Sequence, residues 1–197
     1  MSPMKPDFPE VTCVSFSAHV AAAPWDYEEA MVSEITGVIH GMVSETEEAD
    51  FGTITLLKLS VSEAINRRLS LESICDAHSD YLLSVFNAIC DEDEEAKEEL
   101  EIEPGWSDLL VLAGFDVKPE YRKSAIVVKA FETAIAFFGS GGVIVAAMEG
   151  KHFVGLDLMI DEWRALGFKR IAGSQFVFRD NACLNPYRAE LENDDDE

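Results

Sequence analysis

Residues 108–147 impose the tightest constraint on the fold. They run DLLVLAGFDV, a proline at 119, a long segment with helical periodicity, the glycine-rich FGSGG at 138–142, and VIVAA at 143–147. Two short continuous apolar runs, each bounded by turn residues, read as buried strands. Between them Val127, Phe131, Ile135 and Phe138 recur along one face of a helix spanning about 122–138. Gly139 stands where a left-handed residue would end that helix. Strand, helix and strand in this order predict two parallel strands joined by a right-handed crossover, in a sheet whose two faces are both covered.

The rest of the chain is read against that unit. VTCVSFSAHV at 11–20 alternates apolar and small polar residues and predicts a strand. From 26 to 43, Met31, Ile35, Val38, Ile39 and Met42 recur at helical spacing behind Asp26, Glu28 and Glu29, which predicts a helix. FGTITLLKLSV at 51–61 predicts a strand of the main sheet, 62–69 a short helix and 77–90 a second one. LMIDEWRALGF at 158–168 reads as a short helix ended by Gly167, and KRIAGSQFVFRD after it as a hairpin or a bulged strand pair. The implied division is an N-terminal extension with one helix at 1–49, an α/β (α+β) domain at 50–182 and an acidic tail at 183–197.

With 197 residues and 48% hydrophobic side chains the chain can build a full core despite a net charge of −23. Much of that charge is local. DEDEEAKEELE at 91–101 carries net −7 and ELENDDDE at 190–197 net −6, both read as solvated loop and tail or, alternatively, as a DNA mimic or a docking site for a basic partner. A strongly acidic chain argues against nucleic acid as a partner, since a phosphate-binding face needs clustered Lys and Arg. Cys13, Cys75, Cys90 and Cys183 show neither a CxxC pair nor zinc-ligand spacing, so reduced, mostly buried thiols and no metal are expected. Only short apolar runs occur near the start, so neither a signal peptide nor a membrane span is expected, and the expected location is cytoplasmic.

Two stretches carry a family likeness: FDVKPEYRKSAIV at 115–127 and EWRALGFKRIAGSQFVF at 162–178. In residues, and in layout over about 50–180, the chain resembles the GNAT N-acetyltransferase superfamily. That resemblance implies a mostly antiparallel sheet with one splayed parallel strand pair and helices on both faces. It also implies acetyl-CoA as co-substrate, bound along strand 108–117 and at the following turn. In the family that turn reads R/Q-x-x-G-x-G/A, and its amides, at the start of the next helix, hold the pyrophosphate. The physical basis is general, since unpaired N–H groups and the helix dipole make an anion site.

Carried over residue by residue, Phe115, Val117, Arg122, Lys123, Ser124, Ala125, Ile126 and Val127 form the expected cofactor site. Ala125 and Val127 depart from the family's small residues and narrow the approach to the backbone. Lys118, Arg122, Lys123 and Lys129 place four of fifteen basic residues near this turn, where they either offset repulsion of a polyanion or solvate a helix end. Asp116 and Glu149 are the candidates for accepting the amine's proton. The family's general-acid tyrosine is replaced here by Trp163, whose expected role is packing. His152 is a further candidate, while His19, His40 and His78 read as surface polar residues.

GSGG at 139–142 precedes a strand, so it reads as a turn and not as a dinucleotide loop, and Asp76, His78 and Ser79 read as one helical turn in which Ser79 caps. The acceptor would be a small-molecule or protein amine. An acidic surface favours a cationic one such as a polyamine, an aminoglycoside-like molecule or a lysine-rich protein. A homodimer is compatible with the sequence. The rival expectation is a GNAT-fold binding protein whose CoA site has decayed and whose acidic tracts are its working surface.

Overall fold

The computed structural model describes residues 10–19, 31–42, 47–102, 106, 108–122, 124–139, 141–148, 153–154 and 158–181. Three antiparallel strands open it, β1 (Glu10–His19), β2 (Val32–Met42) and β3 (Glu48–Leu59). A helical excursion follows, α1 (Val61–Asn66), α2 (Leu71–His78) and α3 (Asp80–Ile89). The chain then returns as β4 (Leu109–Val117), crosses over through α4 (Ser124–Phe138) and runs back into the sheet as β5 (Val143–Ala147). A two-residue β6 (Phe153–Val154), a short α5 (Ile160–Ala165) and a hairpin of β7 (Lys169–Arg170) and β8 (Phe176–Asp180) complete the described elements. The sheet order is β1-β2-β3-β4-β5-β8-β7, with β6 joining β4 off this path.

The molecule is therefore a mixed α+β fold on a mostly antiparallel sheet, in which β4 pairs in parallel with β5 and, further along, with β6. All five residues of β5 are buried, as are Leu109 to Leu112 of β4. Successive strand residues point to opposite faces, so burial of every one requires cover on both. On one face Tyr81 of α3 meets Phe176 of β8, ring centroids 6.1 Å apart. Phe131 of α4, Trp163 of α5 and Phe168 form a separate aromatic cluster with centroids 5.1–5.6 Å apart. Edge-on and offset pairs of this kind each add about 1 kcal/mol beyond simple burial.

The strand–helix–strand unit, the short helix ended by Gly167 and the final hairpin lie where the sequence puts them, and Gly167 is left-handed with φ +81°. The helix expected at 26–43 is not formed. Residues 32–42 are a strand between β1 and β3, with Val32, Ile35, Gly37, Ile39 and Gly41 buried. Apolar residues at 31, 35, 38, 39 and 42 satisfy a helical template, but the buried face has period two. Gly37 and Gly41 occupy two of its positions without contributing any hydrophobic signal. The β-branched run Val32, Ile35, Thr36, Val38, Ile39 was the cue that favoured a strand.

Two further differences concern breaks. The single helix expected at 77–90 is divided at Ser79, whose backbone is extended and whose hydroxyl accepts the Leu82 amide as the cap of α3. At the end of α4, Gly139 is not left-handed; Gly141, two residues on, takes φ +78°. Gly139 is instead required by close approach, because a Cβ there would lie 2.7 Å from Ile144 Cδ1 and 2.8 Å from the Ile135 carbonyl oxygen. Asn181, buried at the end of β8, ties this break down by donating from Nδ2 to the Gly139 carbonyl at 3.0 Å and from its own amide to Gly142.

The acidic run 91–101 is more ordered than a solvated loop. Most of its carboxylates are exposed, but Glu94, held at φ +61°, turns inward. It accepts the Leu71 and Glu72 amides and the Ser70 hydroxyl at the start of α2. Lys97 reaches back to the Asn87 and Ala88 carbonyls at the end of α3. Two helix ends with complementary dipoles are thus clasped by residues of opposite charge from one turn. The tail 183–197 lies outside the described residues.

Candidate functional site

Pairing between β4 and β5 stops at Val111 and Val145. At this point Ala113 is an extra residue on β4, since Leu112 opposes Leu56 and Gly114 opposes Thr55 on β3. Such a bulge bends and twists its strand, and it carries β4 away from β5. Beyond the bulge the β4 edge at Phe115 and Asp116 is taken by Phe153 and Val154 of β6. The result is a fork between two parallel strands, the one place in the β4–β5 pair where ladder groups must look elsewhere for partners.

Tyr81 of α3 supplies one such partner. Its hydroxyl donates to the Leu112 carbonyl at 2.8 Å and is also hydrogen-bonded by the backbone of Ala147 in β5. Burial pushes its phenol well above the ordinary range, an effect the Ala147 bond only partly opposes. The group is therefore a fixed, protonated hydroxyl between the strands. In the sequence Tyr81 is simply one residue of the helix expected at 77–90; the signal that could have marked it is that a buried tyrosine must find a partner for its hydroxyl.

Phe115 and Val117 are fully buried, so their side chains belong to the core and only their backbone can face a ligand. The turn after β4 is a single 3-10 turn, Pro119–Tyr121, with the proline at its start. Tyr121 stacks on Phe51, ring centroids 4.3 Å apart. Arg122 follows, exposed, and its Nε donates to the Val117 carbonyl at 2.8 Å. Residues 124–127 are already the first turn of the fifteen-residue α4, in which the amides of Ser124, Ala125 and Ile126 precede the first i to i−4 bond of the helix. The structure thus brings β4's end, Arg122 and the α4 start together. Lys123, and the side chains of Ser124, Ala125, Ile126 and Val127, lie outside the described residues.

Asp116 is exposed at the β4 end, on the opposite side of the strand from Phe115 and Val117. Glu149 and His152 lie outside the described residues. His40 pairs with Asp50 across β2 and β3 at 2.7 Å, and His78 lies 3.2 Å from the Ser79 hydroxyl. Trp163 is fully buried between Phe131 and Phe168, and its Nε1 donor has no hydrogen-bond partner among the described residues. Cys75 and Cys90 are free and buried; burial first, then Cys90 and Glu94 for Cys75, and Asp91 and Glu94 against an opposing Lys97 for Cys90, pushes each thiol up to about 12.

Among the described residues no group of three or more His, Cys, Asp and Glu side chains is arranged to hold a metal ion, and no helix is long and apolar enough to cross a membrane. Comparison with protein-family models, with curated proteins and with solved structures finds no match to this chain.

Proposed function

We propose that this chain is a GNAT-type acyltransferase that moves an acetyl group from acetyl-CoA to an amine. The observation that carries the reading is the fork between β4 and β5, with a protonated hydroxyl inside it and the first turn of α4 following the end of β4. An N-terminal helical turn beside an exposed arginine is a donor set suited to a pyrophosphate. Backbone groups of diverging strands suit the amides of an extended pantetheine arm.

In this reading Arg122 and the first turn of α4, residues 124–127, hold the phosphates, while the backbone of Phe115 and Val117 lines the arm. Asp116 receives the proton that the acceptor amine loses as its nitrogen forms the new amide bond. Tyr81, kept protonated by burial, faces the sulfur as the C–S bond breaks. Glu149 is the second candidate base. The acceptor is a small-molecule or protein amine, and the acidic surface favours a cationic one.

One feature of the fork fits this ligand poorly and favours a second reading. β6 already pairs with β4 at Phe115 and Asp116, the stretch an extended arm would use. The chain would then be a GNAT-fold binding protein with a decayed cofactor site, working through its acidic surfaces. Calorimetric and thermal-shift titration with acetyl-CoA and CoA separates the two, since a ligand of the native state raises its apparent stability by mass action. Binding by the parent chain supports the acyltransferase. Absence of binding at millimolar ligand, with or without Val127→Gly, overturns it in favour of the decayed site.

A further inference from the structure

The turn joining α1 to α2 reads Arg67-Arg68-Leu69-Ser70-Leu71. Arg67, Arg68 and Ser70 are exposed, and Arg68 adopts φ +58°. Two arginines, three and two positions before a serine and with an aliphatic residue after it, match the requirement of protein kinases whose peptide groove is lined by carboxylates. Ser124, after Arg122 and Lys123, lacks the arginine three positions before it. We propose that Ser70 is a phosphorylation site for a basophilic protein kinase, and that its modification releases the acidic turn 91–97.

The second half of the proposal rests on what Ser70 touches. Its Oγ–H donates to Glu94 Oε1 at 2.5 Å and its oxygen accepts the Ser73 amide at 3.1 Å. Glu94 in turn accepts the Leu71 and Glu72 amides at 2.9 and 3.3 Å. One internal carboxylate and one hydroxyl therefore take three first-turn amides of the eight-residue α2. Transfer of the γ-phosphoryl group of ATP forms the Oγ–P bond, breaks the P–O bond to ADP, and sends the hydroxyl proton to the kinase's base.

The donor that held Glu94 is then gone, and a group of charge about −1.5 to −2 stands in its place. Phosphate and carboxylate compete for the same amides. The phosphate wins because it is tethered to the cap position, has three acceptor oxygens and carries the larger charge toward the helix N-terminus. Glu94, a non-glycine residue at positive φ, loses the contacts that hold it there. Its turn forms one wall of a cleft of about 470 Å³ that also includes Phe86, Asn87 and Cys90, so expulsion uncovers that cleft.

The test is incubation of the full chain with ATP and the cAMP-dependent kinase catalytic subunit, followed by mass spectrometry and amide hydrogen exchange. The expected result is one phosphate at Ser70, with faster exchange over 91–97 and unchanged exchange in β4 and β5. Arg68→Ala is expected to slow incorporation about tenfold, the effect of losing one charge-assisted contact to the kinase. Glu94→Gln, which weakens the latch without touching the recognition residues, is expected to speed it. No incorporation at Ser70, incorporation confined to another serine such as Ser124, or a phosphorylated chain with unchanged exchange over 91–97 overturns the proposal.

Discussion

The hydroxyl of Tyr81 donates a 2.8 Å hydrogen bond to the carbonyl of Leu112, one residue past Val111, the last residue of β4 paired with β5. This side chain from α3 stands in for a strand at the point where β4 and β5 part. Without it the divergence would leave buried backbone groups unpaired, so the tyrosine is part of the reason the fork exists.

Tyr81→Phe keeps the ring and its contact with Phe176 but removes the hydroxyl. The expected loss is about 1–3 kcal/mol, because a mostly buried carbonyl is left without its donor. Urea denaturation followed by circular dichroism measures it. A variant as stable as the parent would show that water or a neighbouring group replaces the hydroxyl. In the acyltransferase reading the same substitution lowers kcat more than it changes the KM for acetyl-CoA.

The Glu94 latch predicts a specific pH dependence. Partial burial pushes its carboxyl up, but bonds from the Ser70 hydroxyl and the Leu71 and Glu72 amides outweigh this and leave it below the ordinary value of 4.5. A carboxyl with a depressed folded-state pKa binds its proton more readily in the unfolded chain. Its contribution is therefore present above the ordinary value and lost as pH falls through the folded one. Stability of the parent should fall below pH 4.5 more steeply than that of Glu94→Gln. Parallel curves from thermal melts between pH 3 and 6 would assign the acid sensitivity elsewhere.

Gly52 in β3 sits against β4 so closely that a Cβ would overlap the Asp116 carbonyl oxygen and lie 2.8 Å from Val117 Cα. Both obstacles are backbone and cannot rotate away. Gly52→Ala is expected to cost about 3 kcal/mol or more, at the upper end for a single substitution. Chemical denaturation gives the number, and a midpoint equal to the parent's would mean that β3 and β4 are not packed as described. Ser62→Ala, on an exposed helix face, is the neutral control.

How much of this was legible depended on whether the signal was local. Gly167 announces its own turn, and the apolar runs around Val111 and Val145 announce buried strands, so the crossover unit follows from residues that need no distant partner. Residues 32–42 fail that test: their alternation is hidden by Gly37 and Gly41, whose place on the buried face is set by the neighbouring strands. The fork was legible only in part. Arg122 and the α4 start stand where sequence places them, whereas Tyr81 and Glu94 act through chain 31 and 22 to 24 residues away. Such long-range polar contacts leave no periodic trace.

Arg122 separates a structural clamp from a ligand contact. Its bond to the Val117 carbonyl is only part-buried and comes from an exposed side chain that water can replace, so Arg122→Ala should cost no more than about 1 kcal/mol of stability. Loss of a charge-assisted contact to phosphate should weaken acetyl-CoA binding about tenfold or more, and Arg122→Lys should recover part of that through charge alone. The two readouts are independent. If Arg122→Ala melts several degrees lower and titrates with acetyl-CoA like the parent, the guanidinium serves the strand and not the ligand. If the melt is unchanged and the affinity falls, with lysine intermediate, the end of β4 and the first turn of α4 form an anion site in which Arg122 takes part.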